Sequence, residues 1–331
     1  MSVLKAYRPQ ALMLLLVALF QGGRAQDTQF TQFYSSPMFI APSYAGGVVG
    51  HRAVANYRAQ WASVPKSYQT YSVSWDHNIA SFKSGVGVLA IRDVAGAGNL
   101  SNTRLGALYS YDITPLADIH VRPGVGFYVQ QLAIDFNRLT FFSQLVDGGG
   151  LGDVTQPGRT SSWDIDVSAS VIVFGDNYWG GFTWDHMLRP NNTFYGDDGS
   201  RTAYKFSFYG GYRFIMRGFL LTKVDESITL LFNYRAQDIY KQLDLGLNWY
   251  RKPLTVGVWW RGLFRGEMDQ RVDALAFMVG YRFQAFSVGY SYDFTVSRLG
   301  LGSGGSHEIS LVYEFKSKAR KKWKAIPCPT F

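Results

Sequence analysis

The clearest pattern along this chain is an alternation of large apolar and small or polar residues with a period of two, the signature of an extended strand with two unlike faces. Phe286, Val288, Tyr290, Tyr292 and Phe294 fall on one face, and Ser287, Gly289, Ser291 and Asp293 on the other. After a Gly-rich stretch the alternation resumes, with Ile309, Leu311, Tyr313 and Phe315 opposite Glu308, Ser310, Val312 and Glu314. Such runs approach the roughly ten residues that a tilted strand needs to cross a bilayer, whereas about five suffice in a soluble sheet.

The unit recurs from His51 onward. It predicts about fourteen extended segments, at 51–61, 68–80, 85–93, 102–113, 119–132, 162–173, 177–188, 201–214, 226–237, 240–251, 254–265, 271–283, 285–297 and 306–316. Charges keep to one face: Lys205 and Arg213 oppose Tyr204, Phe206, Tyr212 and Phe214, and Asp164 and Asp166 oppose the apolar set around them. An Arg or Lys on a lipid-facing position costs roughly 2–4 kcal/mol at the midplane, so this segregation fits a lumen-facing side. Short connectors alternate with longer ones, except that Ile215 to Asp225 is long where a short turn belongs. The expected fold is all-β, a closed antiparallel transmembrane barrel of the outer membrane with about fourteen strands. Closure removes unpaired edges that lipid does not tolerate, and an even strand number puts both ends on the periplasmic side.

Outside the strands the chain divides into three further parts. Residues 1–25 read as a signal peptide, with Lys5 and Arg8 ahead of an apolar core from Ala11 to Phe20 and a small-residue site at Gly23 to Ala25. Residues 26–50 follow neither period, and Pro37 and Pro42 interrupt any continuous helix or central strand. Phe30, Phe33, Tyr34, Met38, Phe39 and Ile40 make this stretch too apolar for a free linker, so it is expected to pack against or inside the barrel that occupies 51–316. A tail, 317–331, follows.

Composition supports this class: 47% hydrophobic, 17% charged, 16% aromatic, with 35 Gly and 21 Tyr, as aromatic girdles and a glycine-bearing wall require. The net charge of +9 changes meaning once located. Lys5, Arg8 and Arg24 belong to the signal, and Lys316, Lys318, Arg320, Lys321, Lys322 and Lys324 to the C-terminal end, which leaves a neutral body. That is not the basic stripe of a nucleic-acid binder. No metal or cofactor is expected: Cys328 is the single cysteine, and no Cys/His cluster has zinc spacing. Gly300, Gly302 and Gly305 match a dinucleotide fingerprint but precede a strand instead of a helix. Ser306, His307 and Glu308 are neighbours in a strand and point to alternate faces, so they form no triad by themselves. An enzyme is not expected.

The block Tyr290-Ser291-Tyr292-Asp293 followed by Gly305-Ser306-His307-Glu308-Ile309 resembles the signature of the PorP/SprF family of type IX secretion outer-membrane proteins. Asp27 to Gly46 resembles the family's start, although Ser36 and Ala41 stand where Asn is expected before Pro. Arg58, Gln60, Trp61, Pro65 and Lys66 resemble its first strand and loop, and Cys328 to Phe331 its C-terminal end. The resemblance implies a non-catalytic barrel that supports export or surface anchoring of clients bearing type IX C-terminal signal domains, in some members a gliding adhesin, while its periplasmic side meets the secretion machinery. The bilayer itself is a further partner. Tyr292, Asp293, Ser306, His307 and Glu308 are expected either to brace the last outer loop, which presents the client, or only to fix the closing hairpin. Lys321, Lys322, Trp323 and Phe331 are expected to dock periplasmic machinery through charge and an apolar anchor. A passive porin-like channel and a lipid hydrolase share the fold and stay open as alternatives.

Overall fold

Alternation decides which side of each strand is buried, and in the computed structural model its sense is inverted relative to a soluble sheet. In β2 (Tyr68–Ile79), Thr70, Ser72, Ser74 and Asp76 are buried, whereas Tyr71, Val73 and Trp75 face outward and are exposed. Polar side chains line an interior and apolar ones a surface made for lipid. The structure describes residues 27–116, 118–139, 160–194, 201–219, 223–265, 269–296, 301–316 and 324–328.

β2 follows β1 (Gly50–Gln60) and leads into β3 (Ser84–Ala95), β4 (Leu100–Tyr111), the four-residue β5 (Ile113–Leu116), β6 (Ile119–Ala133) and β7 (Ser161–Phe174). The remainder comprises β8 (Tyr178–Asp185), β9 (Lys205–Phe219), β10 (Lys223–Gln237), β11 (Tyr240–Arg251), β12 (Leu254–Arg265), β13 (Asp269–Phe283), β14 (Phe286–Thr295) and β15 (Ser306–Lys316). Sequence neighbours pair antiparallel except at β5, which pairs only with β6; β4 pairs directly with β6, which leaves β5 outside the ring. β1 pairs with β15 from Gly50↔Lys316 to Gln60↔Ser306, so fourteen strands close into a barrel.

Two expected segments end differently, for identifiable reasons. β8 stops at Asp185, short of 188, because the backbone of His186 turns into the left-handed region with φ 60°. The long connector expected at Ile215 to Asp225 dissolves, because β9 runs on to Phe219 and pairs with Lys223 at the start of β10. The longest connectors, 134–160 and 186–204, share one end of the barrel, which in barrels of this kind faces outward, although β10 and β11 are joined at that end by only two residues.

Candidate functional site

Pro37 and Pro42 each start a short helical turn, because a fixed φ suits the first helical position, and the stretch 27–49 cannot join the sheet. It instead runs through the lumen from one mouth to the other. Asp27 lies at the mouth with the long connectors, where its Oδ2 meets Lys205 Nζ at 2.6 Å and His186 Nε2 at 2.8 Å. Gln237 Nε2 donates to Asp27 Oδ1 at 3.2 Å. His186 also reaches Asp166 Oδ2 through Nδ1 at 2.8 Å, and Arg104 Nη2 pairs with the same oxygen at 3.1 Å. Burial by itself would depress His186, but the carboxylates of Asp27 and Asp166 outweigh it and hold the imidazole at about 9. For Asp27 burial works the other way and is likewise outweighed: His186 and Lys205 hold its carboxyl well below the usual range.

One turn deeper, Thr31 and Gln32 enter a buried clamp. Their backbone N–H groups donate to Glu308, at 2.7 Å to Oε2 and 2.9 Å to Oε1. The Thr31 hydroxyl donates to Asp293 and accepts from Arg58 Nη1 at 2.6 Å and Arg261 Nη2 at 3.2 Å, which uses one donor and two lone pairs. Arg58 pairs with Asp293 at 2.8 Å and with Glu308 at 3.2 Å. Arg261 bridges Asp293 at 3.1 Å and Asp244 at 3.0 Å, and Arg235 joins Asp244 at 2.9 Å and Gln29 Oε1 at 3.2 Å. Three guanidinium groups thus meet three carboxylates in a largely buried site, where unpaired charge would be severely penalised.

Below the clamp the contacts turn apolar. Tyr34 stacks on Trp259 with ring centroids 5.5 Å apart, and Phe33 meets the same ring edge-on at 5.0 Å. Ser43 N–H donates to Ser170 Oγ at 2.9 Å, and Ser110 Oγ donates to the Ala45 carbonyl at 2.8 Å. Here the segment lies directly on the wall: a Cβ at Gly85 would strike the Ala45 carbonyl, and one at Gly124 the backbone of Ser43. The far mouth is covered by the chain's other end. Ile326 N–H donates to the Gly47 carbonyl at 3.0 Å, Ile326 and Pro327 are buried, and Lys324 pairs with Asp176 at 2.8 Å in the β7–β8 turn. Cys328 packs beside Tyr44 in the apolar cluster, and burial pushes its thiol up to about 12.

A family model described as "Type IX secretion system membrane protein PorP/SprF" matches residues 22–313. The chain belongs to the PorP/SprF family. No curated protein sequence matches it. Among solved structures, it is similar to the Pseudomonas putida toluene transporter TodX at 8% identity over 84% of this chain and 93% of that one, with a TM-score of 0.49. The Ralstonia pickettii toluene transporter TbuX stands at 7% identity, 84% and 92% coverage and a TM-score of 0.48. BamA from Haemophilus ducreyi lacking POTRA domains 1–3 stands at 8%, 80% and 70%, and 0.40. These likenesses are of overall form.

Within this PorP/SprF barrel the residues singled out from sequence separate into two sets. Tyr292↔His307 and Asp293↔Ser306 are cross-strand pairs, with Asp293 and Glu308 turned inward and the Tyr292 and His307 rings outward, 5.0 Å apart. The inward acids hold the N-terminal segment. Lys321, Lys322, Trp323 and Phe331 lie outside the described residues, as does the signal segment; in the described part of the tail, Ile326 and Pro327 cover the chain's own lumen. Asp27 sits beside Lys205 and Gln237, at the mouth opposite Gly50 and Lys316. A segment that threads the lumen sets Asp27 and Gly50 at opposite mouths. Sequence reasoning missed Thr31, Asp244 and Arg261 as a unit; alternation shows that each strand charge faces inward, but only register brings them together.

Proposed function

We propose that this outer-membrane barrel supports export or surface anchoring of client proteins of the type IX system as a plugged, non-catalytic component. The observation that carries this reading is the filled lumen: the chain's own residues 27–49 occupy it from mouth to mouth, and 324–328 cover one end. A plugged wall suits a protein that holds or hands over a client at its outer mouth while its inner mouth meets secretion machinery. Clients with type IX C-terminal signal domains, including large adhesins of gliding motility, are the class that family membership suggests. The long connectors then face the surface, together with the Asp27 end, and Lys316 faces the periplasm.

The competing function is a passive porin-like channel, and planar-bilayer recording separates the two. The full chain is expected to show no steady conductance, and its loss from the cell is expected to remove clients from the surface without altering small-solute uptake. Steady open channels in the full chain, with client display intact in its absence, would overturn the proposal in favour of the porin.

A further inference from the structure

Barrel walls are convex, yet this one carries a hollow of about 680 Å3 on its outward side, where β2, β3, β4, β6 and β7 run side by side. Val73, Val88, Leu105, Phe127 and Ile165 line it, and each is more than half exposed. The depression has a sequence cause. Ala90 and Ala107, on the neighbouring strands β3 and β4, set short side chains among longer ones. Its volume lies within the range of small-molecule pockets, roughly 300–1,000 Å3.

Strand register arranges the surroundings of the hollow in rows. One continuous row runs Trp75↔Val88↔Ala107↔Phe127↔Val167, and the next Val73↔Ala90↔Leu105↔Val129↔Ile165. Both are wholly apolar. The third row, one pleat nearer the long connectors, runs Tyr71↔Arg92↔Thr103↔Gln131↔Trp163. Aromatic rings stand at its two ends and hydrogen-bonding side chains between them, the composition of a membrane–water interface. Arg92 is exposed and has no ion-pair partner among the described residues, whereas the outward Arg217 faces Glu226 at 3.9 Å.

We propose that the hollow is a binding site for a lipid of the outer leaflet that carries a phosphate on its headgroup, with acyl chain seated on the two apolar rows and phosphate on Arg92. Within a bilayer, apolar surfaces gain nothing by leaving water, so selection falls to packing and to polar contacts. An empty hollow would forfeit dispersion contacts along its lining, and a flexible acyl chain fits an irregular depression. The polar row then chooses the headgroup. A guanidinium free of carboxylates matches phosphate in geometry and charge, and Thr103 and Gln131 supply neighbouring donors. A second barrel seated here would have to set an acid against Arg92.

Native mass spectrometry of the full-length barrel, delipidated and then offered a bisphosphorylated acylated glycolipid or phosphatidylethanolamine, tests the site. Wild type is expected to retain the glycolipid in preference by about tenfold, the scale of one charge-assisted contact. Arg92→Gln should abolish the preference and Arg92→Lys keep part of it. Ala90→Phe should reduce retention of both lipids, and Val258→Phe, on the opposite part of the wall, neither; unchanged heat-modifiability establishes folding in each case. Equal retention of the two lipids by wild type, or retention indifferent to Arg92→Gln and Ala90→Phe, would overturn the proposal. So would displacement by inorganic phosphate alone, which would leave the hollow unused, or a purified dimer of barrels shielding Phe127 from labelling. None of these outcomes bears on whether the lumen is plugged.

Discussion

Replacing Glu308 by Ala removes the group that holds the N-terminal segment by its backbone. Its side chain is fully buried and accepts from two main-chain N–H groups, Thr31 at 2.7 Å and Gln32 at 2.9 Å, and pairs with Arg58 at 3.2 Å. Each bond to a charged acceptor is worth about 1.5–3 kcal/mol, and deleting one partner of a buried ion pair costs about 3–5 kcal/mol. These are overlapping accounts of one site, so about 3–5 kcal/mol is the expected loss, with Arg58 kept from the upper limit by Asp293 at 2.8 Å. Because the loss falls on the segment and not on strand pairing, the open-lumen population should rise by a factor on the order of 10²–10³. Planar-bilayer recordings should then show intermittent conductance from Glu308→Ala where the wild type is silent, while the barrel still migrates as a heat-modifiable band. A double-mutant cycle with Arg58→Met reads the coupling between the two residues. A silent Glu308→Ala barrel, as resistant to protease at 27–49 as the wild type, would refute the clamp. Client surface display on intact cells, measured with the same variant, tells whether the plug bears on function.

The His186 latch should weaken in alkali. An imidazole whose pKa is raised to about 9 contributes stability that is complete below its unfolded value near 6.5 and disappears as pH rises through 9, so the protection factors of amides 27–30, corrected for base-catalysed intrinsic exchange, should fall between pH 8 and 10 in the wild type and not in His186→Gln. Asp27, held low, gives the mirror case: its contribution is present above about 4 and is lost as pH falls further, and acid should release the same amides. Cys328, with its thiol up at about 12, should resist maleimide at pH 8 and become reactive in Ile326→Asp, which lifts the strap from Gly47. Deleting 317–331 should leave a folded, heat-modifiable barrel that no longer exports clients; full export at natural abundance would leave the tail without a docking role. Gly124→Val should expel the segment by striking Ser43 and leave the wall intact, detectable as conductance.

The wall was legible because lipid and lumen impose opposite demands on alternate residues, and β11, β12 and β15 have the bounds that alternation predicts. Strand ends were less legible where no side-chain pattern marks them: the left-handed turn at His186 is a backbone event, and β9 passes Ile215 and Met216, which break the alternation with two adjacent exposed apolar residues. The apolar character of Phe30 to Ile40 pointed to packing, but the direction of threading was not encoded locally. It depends on Asp27 finding Lys205 and His186, residues 178 and 159 positions away. The clamp was hidden for the same reason. Asp293 and Glu308 stand out by facing inward, yet their partners Arg58 and Arg261 come from β1 and β12: strand register brings Arg261 to Asp293, and closure of the sheet brings Arg58 to both acids.

The clamp also binds the order of events in assembly. The seam of the barrel is the pairing of β1 with β15, in which Arg58 stands opposite Glu308. Those same two residues grip Thr31, and Asp293 on the adjoining β14 completes the grip. A segment of this bulk cannot be threaded through a ring already shut without releasing its contacts one by one. Laid first along the growing sheet, it offers a former around which the two terminal strands are drawn together, 250 positions apart in sequence, in the register that sets Arg58 opposite Glu308. Sealing the wall and stopping the bore are then a single act, and a barrel that lacks its core segment is one whose seam has no guide.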